Sequence, residues 1–184
     1  ESDTIIEPVC FNSCNNCSAI SQSTQLEQTV YFPEGWSMFS FFVEPNNKYL
    51  DSILAPLSDD IIIVKDYHGN VFLPNLNFNA IGQLENSEGY QIKMSNDNSL
   101  TINGYFQILD DHPIELPLGW YIMGYLKITP TLFDVLLSGI EEAVIIVKDY
   151  NGNAYLPSWN FNAIGNAVPG QGYQIKTNSS AVLW

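Results

Sequence analysis

Three cysteines near the start of the chain are the residues whose type and spacing most directly suggest chemistry. Cys10, Cys14 and Cys17 are its only cysteines and have the spacing Cys-x3-Cys-x2-Cys. In enzymes that use this spacing to ligate an iron–sulfur cluster, a large barrel holds the cluster and its cofactor, whereas here the cysteines lie in a polar segment. A closed zinc site needs four ligands, and no histidine lies nearby. We therefore expect one disulfide, with its pairing open, and a third thiol that is reduced or pairs with a neighbouring molecule.

Two carboxylates occupy matching positions in the pattern Asp-Tyr-x-Gly-Asn. Asp66 and Asp149 each begin this pattern, which also contains Gly69 and Gly152. An Asp at the start of a turn hydrogen-bonds the backbone that follows, and the glycine supplies a positive backbone angle. Turn capping is therefore the expected role of both carboxylates. Calcium ligation by turn oxygens is the alternative, and we expect no other cofactor.

The histidines give no sign of catalysis. His68 and His112 are the only two, and His68 corresponds to Asn151 in the second pattern. A turn position that is histidine in one copy and asparagine in the other is typical of a solvated residue. Because no Ser, His and Asp set and no metal-binding pair stands out, we predict that the protein is not an enzyme.

The lysines and the large aromatic residues also fall at matching positions. Four of the six positive charges are Lys65, Lys93, Lys148 and Lys176, and we expect them to pair with carboxylates or to face a neighbouring subunit. A second matched set is expected in the core and comprises Trp36, Trp120, Tyr90 and Tyr173. Trp159 stands opposite Leu76 and is the candidate for an exposed platform that stacks on a sugar or a partner.

The charge balance excludes several kinds of partner. The chain has 184 residues with 20 acidic and six basic side chains, and its net charge is −14. Nucleic-acid binding requires Lys and Arg to neutralise phosphates, so no nucleic-acid partner is expected. The same charge disfavours anionic membranes, and no apolar run reaches the roughly 20 residues of a bilayer span. We expect a soluble protein.

An internal repeat accounts for these matched positions. Residues 61–93 and 144–176 are identical at 21 of 33 positions without a gap. The upstream motif Pro-x-Gly-Trp begins at Pro33 and again at Pro117. Its two copies are separated by one residue more than the two long segments are. The sequence therefore predicts two units of roughly 80 residues. We assign residues 1–29 to an N-terminal arm, 30–109 to unit 1 and 114–184 to unit 2.

Each unit has the pattern of a small β structure with one short helix. β-branched runs at 61–65 and 144–148 precede the glycine turns and a second apolar stretch, which is typical of a hairpin. Segments 48–57 and 131–140 have helical spacing of apolar residues, including Leu132, Val135, Leu136 and Ile140. We predict a mainly β fold made of tandem duplicated small β units, each with one short helix, preceded by an extended cysteine-containing arm.

The repeated unit resembles a known repeat. Its pattern is Gly-Trp, an apolar helix and then IVKDxxGNxYLPxxNFNxIGxxxPGQGYQIK, and it covers residues 33–93 and 117–176. It is similar to repeats of secreted Bacteroidota surface proteins and of structural proteins of marine bacteriophages and aquatic viruses. The resemblance implies an extracellular or virion-surface structural module and no catalytic residues. We therefore expect a surface protein that forms a homo-oligomer or a larger assembly through its β repeats and its N-terminal arm. The alternative is a glycan-binding adhesion module.

Overall fold

The protein is mainly β with two one-turn helices, as the sequence predicts. The computed structural model describes residues 24–107, 109 and 111–184. The strands are β1 (Gln25–Phe32), β2 (Gly35–Phe39), β3 (Val43–Glu44), β4 (Ile61–Lys65), β5 (Val71–Leu73), β6 (Phe78–Asn79), β7 (Tyr90–Met94), β8 (Asn98–Phe106), β9 (Ile114–Leu116), β10 (Gly119–Met123), β11 (Thr131–Leu132), β12 (Val144–Lys148), β13 (Ala154–Leu156), β14 (Phe161–Asn162), β15 (Asn166–Ala167), β16 (Tyr173–Thr177) and β17 (Ala181–Leu183). The α-helices are α1 (Leu50–Ile53) and α2 (Phe133–Leu136), and the 3-10 turns are Ala55–Leu57, Pro74–Leu76, Glu141–Ala143 and Pro157–Trp159.

Two five-stranded antiparallel sheets share one topology. Their strand orders are β2-β7-β4-β5-β6 and β10-β16-β12-β13-β14. Both contain a register shift at the same place, between Ile61 and Ile63 in one sheet and between Val144 and Ile146 in the other. Corresponding residues of the repeat therefore occupy corresponding places in the two sheets.

A further antiparallel pair accompanies each sheet. β1 pairs with β8 in the first unit, where Val30 lies opposite Leu100. β9 pairs with β17 in the second, where Ile114 lies opposite Leu183. The first pair is longer, and β3 extends it to three strands. The structural correspondence of the units thus reaches beyond the segments that are most similar in sequence.

Strand β1 overlaps the segment that the sequence analysis assigns to the arm. Residues 25–29 pair with β8, and Gln28 is buried. The Gln28 side chain accepts a hydrogen bond from the Phe42 amide at 2.8 Å and donates one to the Ser40 carbonyl at 3.3 Å. These residues therefore belong to the folded unit. Their alternation of outward polar and inward side chains is the period of a strand with one buried face.

Each unit has its own hydrophobic core. Phe39 stacks on Tyr90 in the first core, with ring centroids 5.5 Å apart. Phe133 contacts Tyr173 edge to face in the second core, at 5.0 Å. Both tyrosines are buried, as expected. The inward side chains alternate with outward ones along β7 and β16, so each sheet keeps one face outside the core.

The second helix lies where it is predicted, but only part of the predicted spacing faces the core. Leu136 is buried and Ile140 is partly buried against the core, whereas Leu132 and Val135 are exposed. Phe133 and Leu137 are also buried. The helix has a single turn, so a helical spacing that continues over residues 132–140 does not describe it.

Candidate functional site

The two units meet through reciprocal contacts. Phe39 of unit 1 forms a bridge with Gln171 of unit 2, and their counterparts Met123 and Glu88 form the same bridge with the units exchanged. Two backbone hydrogen bonds repeat this exchange, Ser40 N to Gly170 O at 3.1 Å and Gly124 N to Ser87 O at 2.9 Å. Only a twofold relation exchanges partners in this way. The units are therefore related by a pseudo-twofold axis and not by a simple translation.

A tryptophan lies on the outward face of each sheet between two lysines. The Nζ atoms of Lys65 and Lys93 lie 5.2 and 5.8 Å from the centroid of the Trp36 ring. In unit 2, Lys148 and Lys176 lie 5.6 and 5.5 Å from Trp120. These distances are those of cation–π contacts. Each sheet therefore displays the same group of one tryptophan and two lysines.

These groups correct two expectations. Trp36 and Trp120 are 47% and 48% exposed, so their assignment to the core is wrong. Trp36 lies opposite Lys93 in the β2–β7 register, on the face directed away from the core. The lysines also do not pair with carboxylates: among the described residues, the ion pair that forms is Lys48 with Glu44, at 2.8 Å. Aromatic rings take the place of the expected carboxylate partners.

Two clefts lie beside these tryptophans, and each draws on both units. The Trp36 cleft is lined by Trp36 and Lys65 of unit 1 and by the turn Asp149–Tyr150 of unit 2. The Trp120 cleft is lined by Trp120 and Lys148 of unit 2 and by the turn residues Asp66 and Tyr67 of unit 1. Their volumes are about 340 and 360 Å³. The pseudo-twofold axis thus places two similar clefts on one molecule.

Two glutamines are common to both clefts. Gln91 and Gln174 occupy matching positions of β7 and β16 and line both cavities. Both side chains are half-buried, and within the described part of the chain no hydrogen-bond partner occupies either amide. An amide offers both donors and an acceptor. The clefts therefore present unused polar groups beside a half-exposed aromatic ring.

The carboxylates of the clefts are held by their own turns. Asp66 accepts hydrogen bonds from the Asn70 backbone N at 2.8 Å and from Asn70 Nδ2 at 2.7 Å. Asp149 makes the same two bonds with Asn153. Gly69 and Gly152 have φ of +91° and +87°, the left-handed conformation that the turn requires. Both carboxylates thus stabilise the loops that form one wall of each cleft.

One carboxyl group at the junction of the units has a shifted pKa. Burial, together with the charges of the nearby Asp66 and Glu85, raises the pKa of Glu88 to about 7. Its counterpart in unit 2 is the uncharged Gln171, which lies in the reciprocal bridge. The sequence offered no signal for this shift because the neighbours of Glu88 are set by the contact between units. The junction therefore contains a group that titrates near neutral pH.

The remaining candidate residues do not line the clefts. Trp159 is 76% exposed at the end of its hairpin, and Leu76 is 72% exposed at the matching position. His68 is exposed and contacts Tyr67, with ring centroids 3.8 Å apart. His112 is exposed near the junction of the units. Cys10, Cys14 and Cys17 lie outside the described residues.

The groups of the clefts are suited to binding polar molecules. They comprise aromatic rings, ammonium groups, amides and turn carboxylates. Among the described residues no group of three or more His, Cys, Asp or Glu is arranged to hold a metal ion. No helix in the same residues is long and apolar enough to cross a membrane.

Comparison with known proteins finds no relative of this chain. The chain matches no protein-family model, and neither the search of curated proteins nor the search of solved structures finds a match.

Proposed function

We propose that the chain is a non-catalytic structural module of an extracellular or virion-surface assembly, in which its repeated units contact neighbouring molecules. The observation that carries this proposal is a set of apolar side chains that are exposed at the same position of both units. Ten of the 16 large hydrophobic side chains exposed in the described residues form five such pairs: Trp36/Trp120, Tyr49/Leu132, Ile62/Ile145, Leu76/Trp159 and Phe78/Phe161.

The hairpin ends carry the most prominent of these pairs. Leu76 and Phe78 are 72% and 49% exposed, and Trp159 and Phe161 are 76% and 48% exposed. Between them, Asn77 and Asn160 have positive φ of 48° and 49°. The same backbone therefore presents both pairs. Packing within the units does not explain apolar side chains that face solvent in both copies, whereas a contact with a neighbour does.

Sedimentation velocity tests this proposal. We expect the full chain to sediment as an oligomer, and we expect Leu76→Ser, Phe78→Ser, Trp159→Ser and Phe161→Ser together to shift it to a smaller species. The control combines Leu118→Glu and Val135→Ser, since these exposed apolar residues stand opposite Glu34 and Ser52 and have no apolar counterpart. A monomeric full chain, or an oligomer that survives the fourfold substitution, contradicts the proposal.

A glycan-binding adhesion module is the second candidate, and the exposure of Trp159 favours it. Trp159 is 76% exposed, and an exposed indole ring can stack on a sugar ring. Trp159→Leu restores the residue type of the matching position in unit 1. If this candidate is right, the wild type binds members of a glycan array and the variant loses them. Binding that persists in Trp159→Leu excludes Trp159 as the adhesive residue.

A further inference from the structure

We propose that the Trp36 cleft and the Trp120 cleft each bind an acidic saccharide. A sugar ring packs against the tryptophan, its acid group pairs with the adjacent lysines, and its hydroxyl groups hydrogen-bond Gln91 and Gln174. This site contains Trp36 and Trp120, which form one of the five exposed pairs, but none of the hairpin-end residues that the sedimentation test replaces. The outcome of either experiment is therefore independent of the other.

The lysines supply the first argument. Lys65, Lys93, Lys148 and Lys176 are all half-buried, and none forms an ion pair with a carboxylate of the described chain. They are four of the six positive charges in a chain of net charge −14, so carboxylates are abundant elsewhere. Partly desolvated ammonium groups gain more from an anionic partner than fully exposed ones do. Lys65 and Lys148 line the clefts, and Lys93 and Lys176 lie against the tryptophans of the same clefts. This placement indicates that the partner is an external acid group.

The walls of the clefts supply the second argument. A half-exposed indole offers a flat apolar surface, and Gln91 and Gln174 offer unused donors and acceptors beside it. A sugar ring has an apolar face and a rim of hydroxyl groups, which matches this combination. The turn carboxylates are already bonded to Asn70 and Asn153, so they oppose an anionic ligand less than unpaired carboxylates would.

The charge of the whole chain separates a saccharide from a nucleic acid. Single-stranded nucleic acids also stack on aromatic rings, but their binding depends on neutralising a phosphate at every nucleotide. Four lysines within an acidic molecule can pair with separate acid groups, but they cannot neutralise a continuous row of phosphates. An acidic sugar with several hydroxyl groups for each charge is the better match.

The pseudo-twofold axis predicts the number of binding sites that the experiment should find. In isothermal titration at low salt, we expect digalacturonic acid to bind at two sites per chain. Trp36→Ala should leave one site, Trp120→Ala should leave the other, and the double variant should leave none. Trp36→Phe keeps an aromatic surface and should retain two sites, which separates loss of stacking from loss of folding. Trp159→Ala should also retain two.

The lysines are tested by a charge-matched pair of variants. Lys148 lines both clefts, so Lys148→Gln should weaken binding at both sites by about tenfold. Lys48 pairs with Glu44 instead, and Lys48→Gln should leave the affinity unchanged. A sulfated disaccharide used as a second probe shows whether sulfate replaces carboxylate, and its binding at the same two sites supports the proposal.

Three results overturn the proposal. The first is that neither acidic probe binds. The second is that neutral cellobiose or an oligothymidine of six nucleotides binds the clefts as tightly as the acidic probes do. The third is that two sites remain in the double variant Trp36→Ala and Trp120→Ala.

Discussion

Gly89 and Gly172 face each other across the pseudo-twofold axis. A Cβ atom on Gly89 would lie 3.0 Å from the Cα of Gly172, and one on Gly172 would lie 3.1 Å from the Cα of Gly89. The added atoms would also approach the carbonyl oxygens of Met123 and Phe39, at 2.8 and 2.9 Å. Because backbone surrounds both positions, the contact between the units requires glycine on each side.

Gly89→Ala is therefore expected to lower the free energy of unfolding by about 1–3 kcal/mol, the usual cost of overpacking. The measurement is urea denaturation followed by tryptophan fluorescence. Gly139→Ala is the control, since no atom lies within 4 Å of its added Cβ, and it should change stability by less than about 0.5 kcal/mol. Equal stability of the two variants would contradict the close contact.

Substitution of the hairpin glycines should lower stability through the backbone conformation alone. Gly69 and Gly152 have positive φ, and no atom lies within 4 Å of an added Cβ at either position. Gly69→Val and Gly152→Val should each lower stability by about 1–2 kcal/mol. Thermal unfolding of both variants checks this expectation. If either variant melts at the wild-type temperature, its turn does not need the left-handed conformation.

Glu88→Gln should remove a dependence of stability on pH. The folded-state pKa of Glu88 is raised from 4.5 to about 7, so between these values the folded state holds a proton that the unfolded state has lost. Its contribution to stability is complete below about pH 4.5 and disappears as pH rises through 7. Above pH 8 the variant should exceed the wild type by about 1–2 kcal/mol, a value reduced for partial exposure.

Urea denaturation at pH 5 and pH 8.5 measures this difference. At pH 5 the variant and the wild type should be closer in stability than at pH 8.5. Glu142→Gln makes the same change of charge at an exposed position and is the control. A variant that falls below the wild type at pH 8.5 would show that the Glu88 carboxylate is stabilised and not penalised at the junction.

Two truncations separate strand β1 from the residues that precede it. Removing residues 1–29 cuts into β1 and removes the buried Gln28 with its two hydrogen bonds. This deletion should destabilise unit 1, whereas removing residues 1–23 leaves all of β1 and should preserve the melting temperature. Circular dichroism compares them. If the N-terminal arm takes part in assembly, as the sequence predicts, the shorter deletion also yields a smaller species in sedimentation.

The strands could be predicted because their signals are local. Glycine turns, β-branched runs and the repeat place β4, β5, β7 and their counterparts near their observed bounds. The polar alternation of β1 was also present in the sequence. It was missed because Gln28 occupies an inward position that usually holds an apolar residue, and only its bonds to Ser40 and Phe42 explain its burial.

The clefts could not be predicted because they depend on how two distant segments meet. Trp36 and Asp149 line the same cavity although more than one hundred residues separate them. The repeat was compatible with units related by a translation or by a twofold axis. Only the twofold axis brings residues of both units together to line the clefts. Trp36 was also misassigned, because it begins a mostly apolar stretch whose residues do not alternate regularly between the two faces of β2.

The reciprocal bridges of Phe39 with Gln171 and of Met123 with Glu88 give one polypeptide the interior symmetry of an isologous homodimer. A true homodimer must change both copies of a residue at once. In a fused chain each half can vary alone, as Glu88 and Gln171 or His68 and Asn151 already do. The two clefts can therefore acquire different preferences while the backbone contact that forms them stays the same.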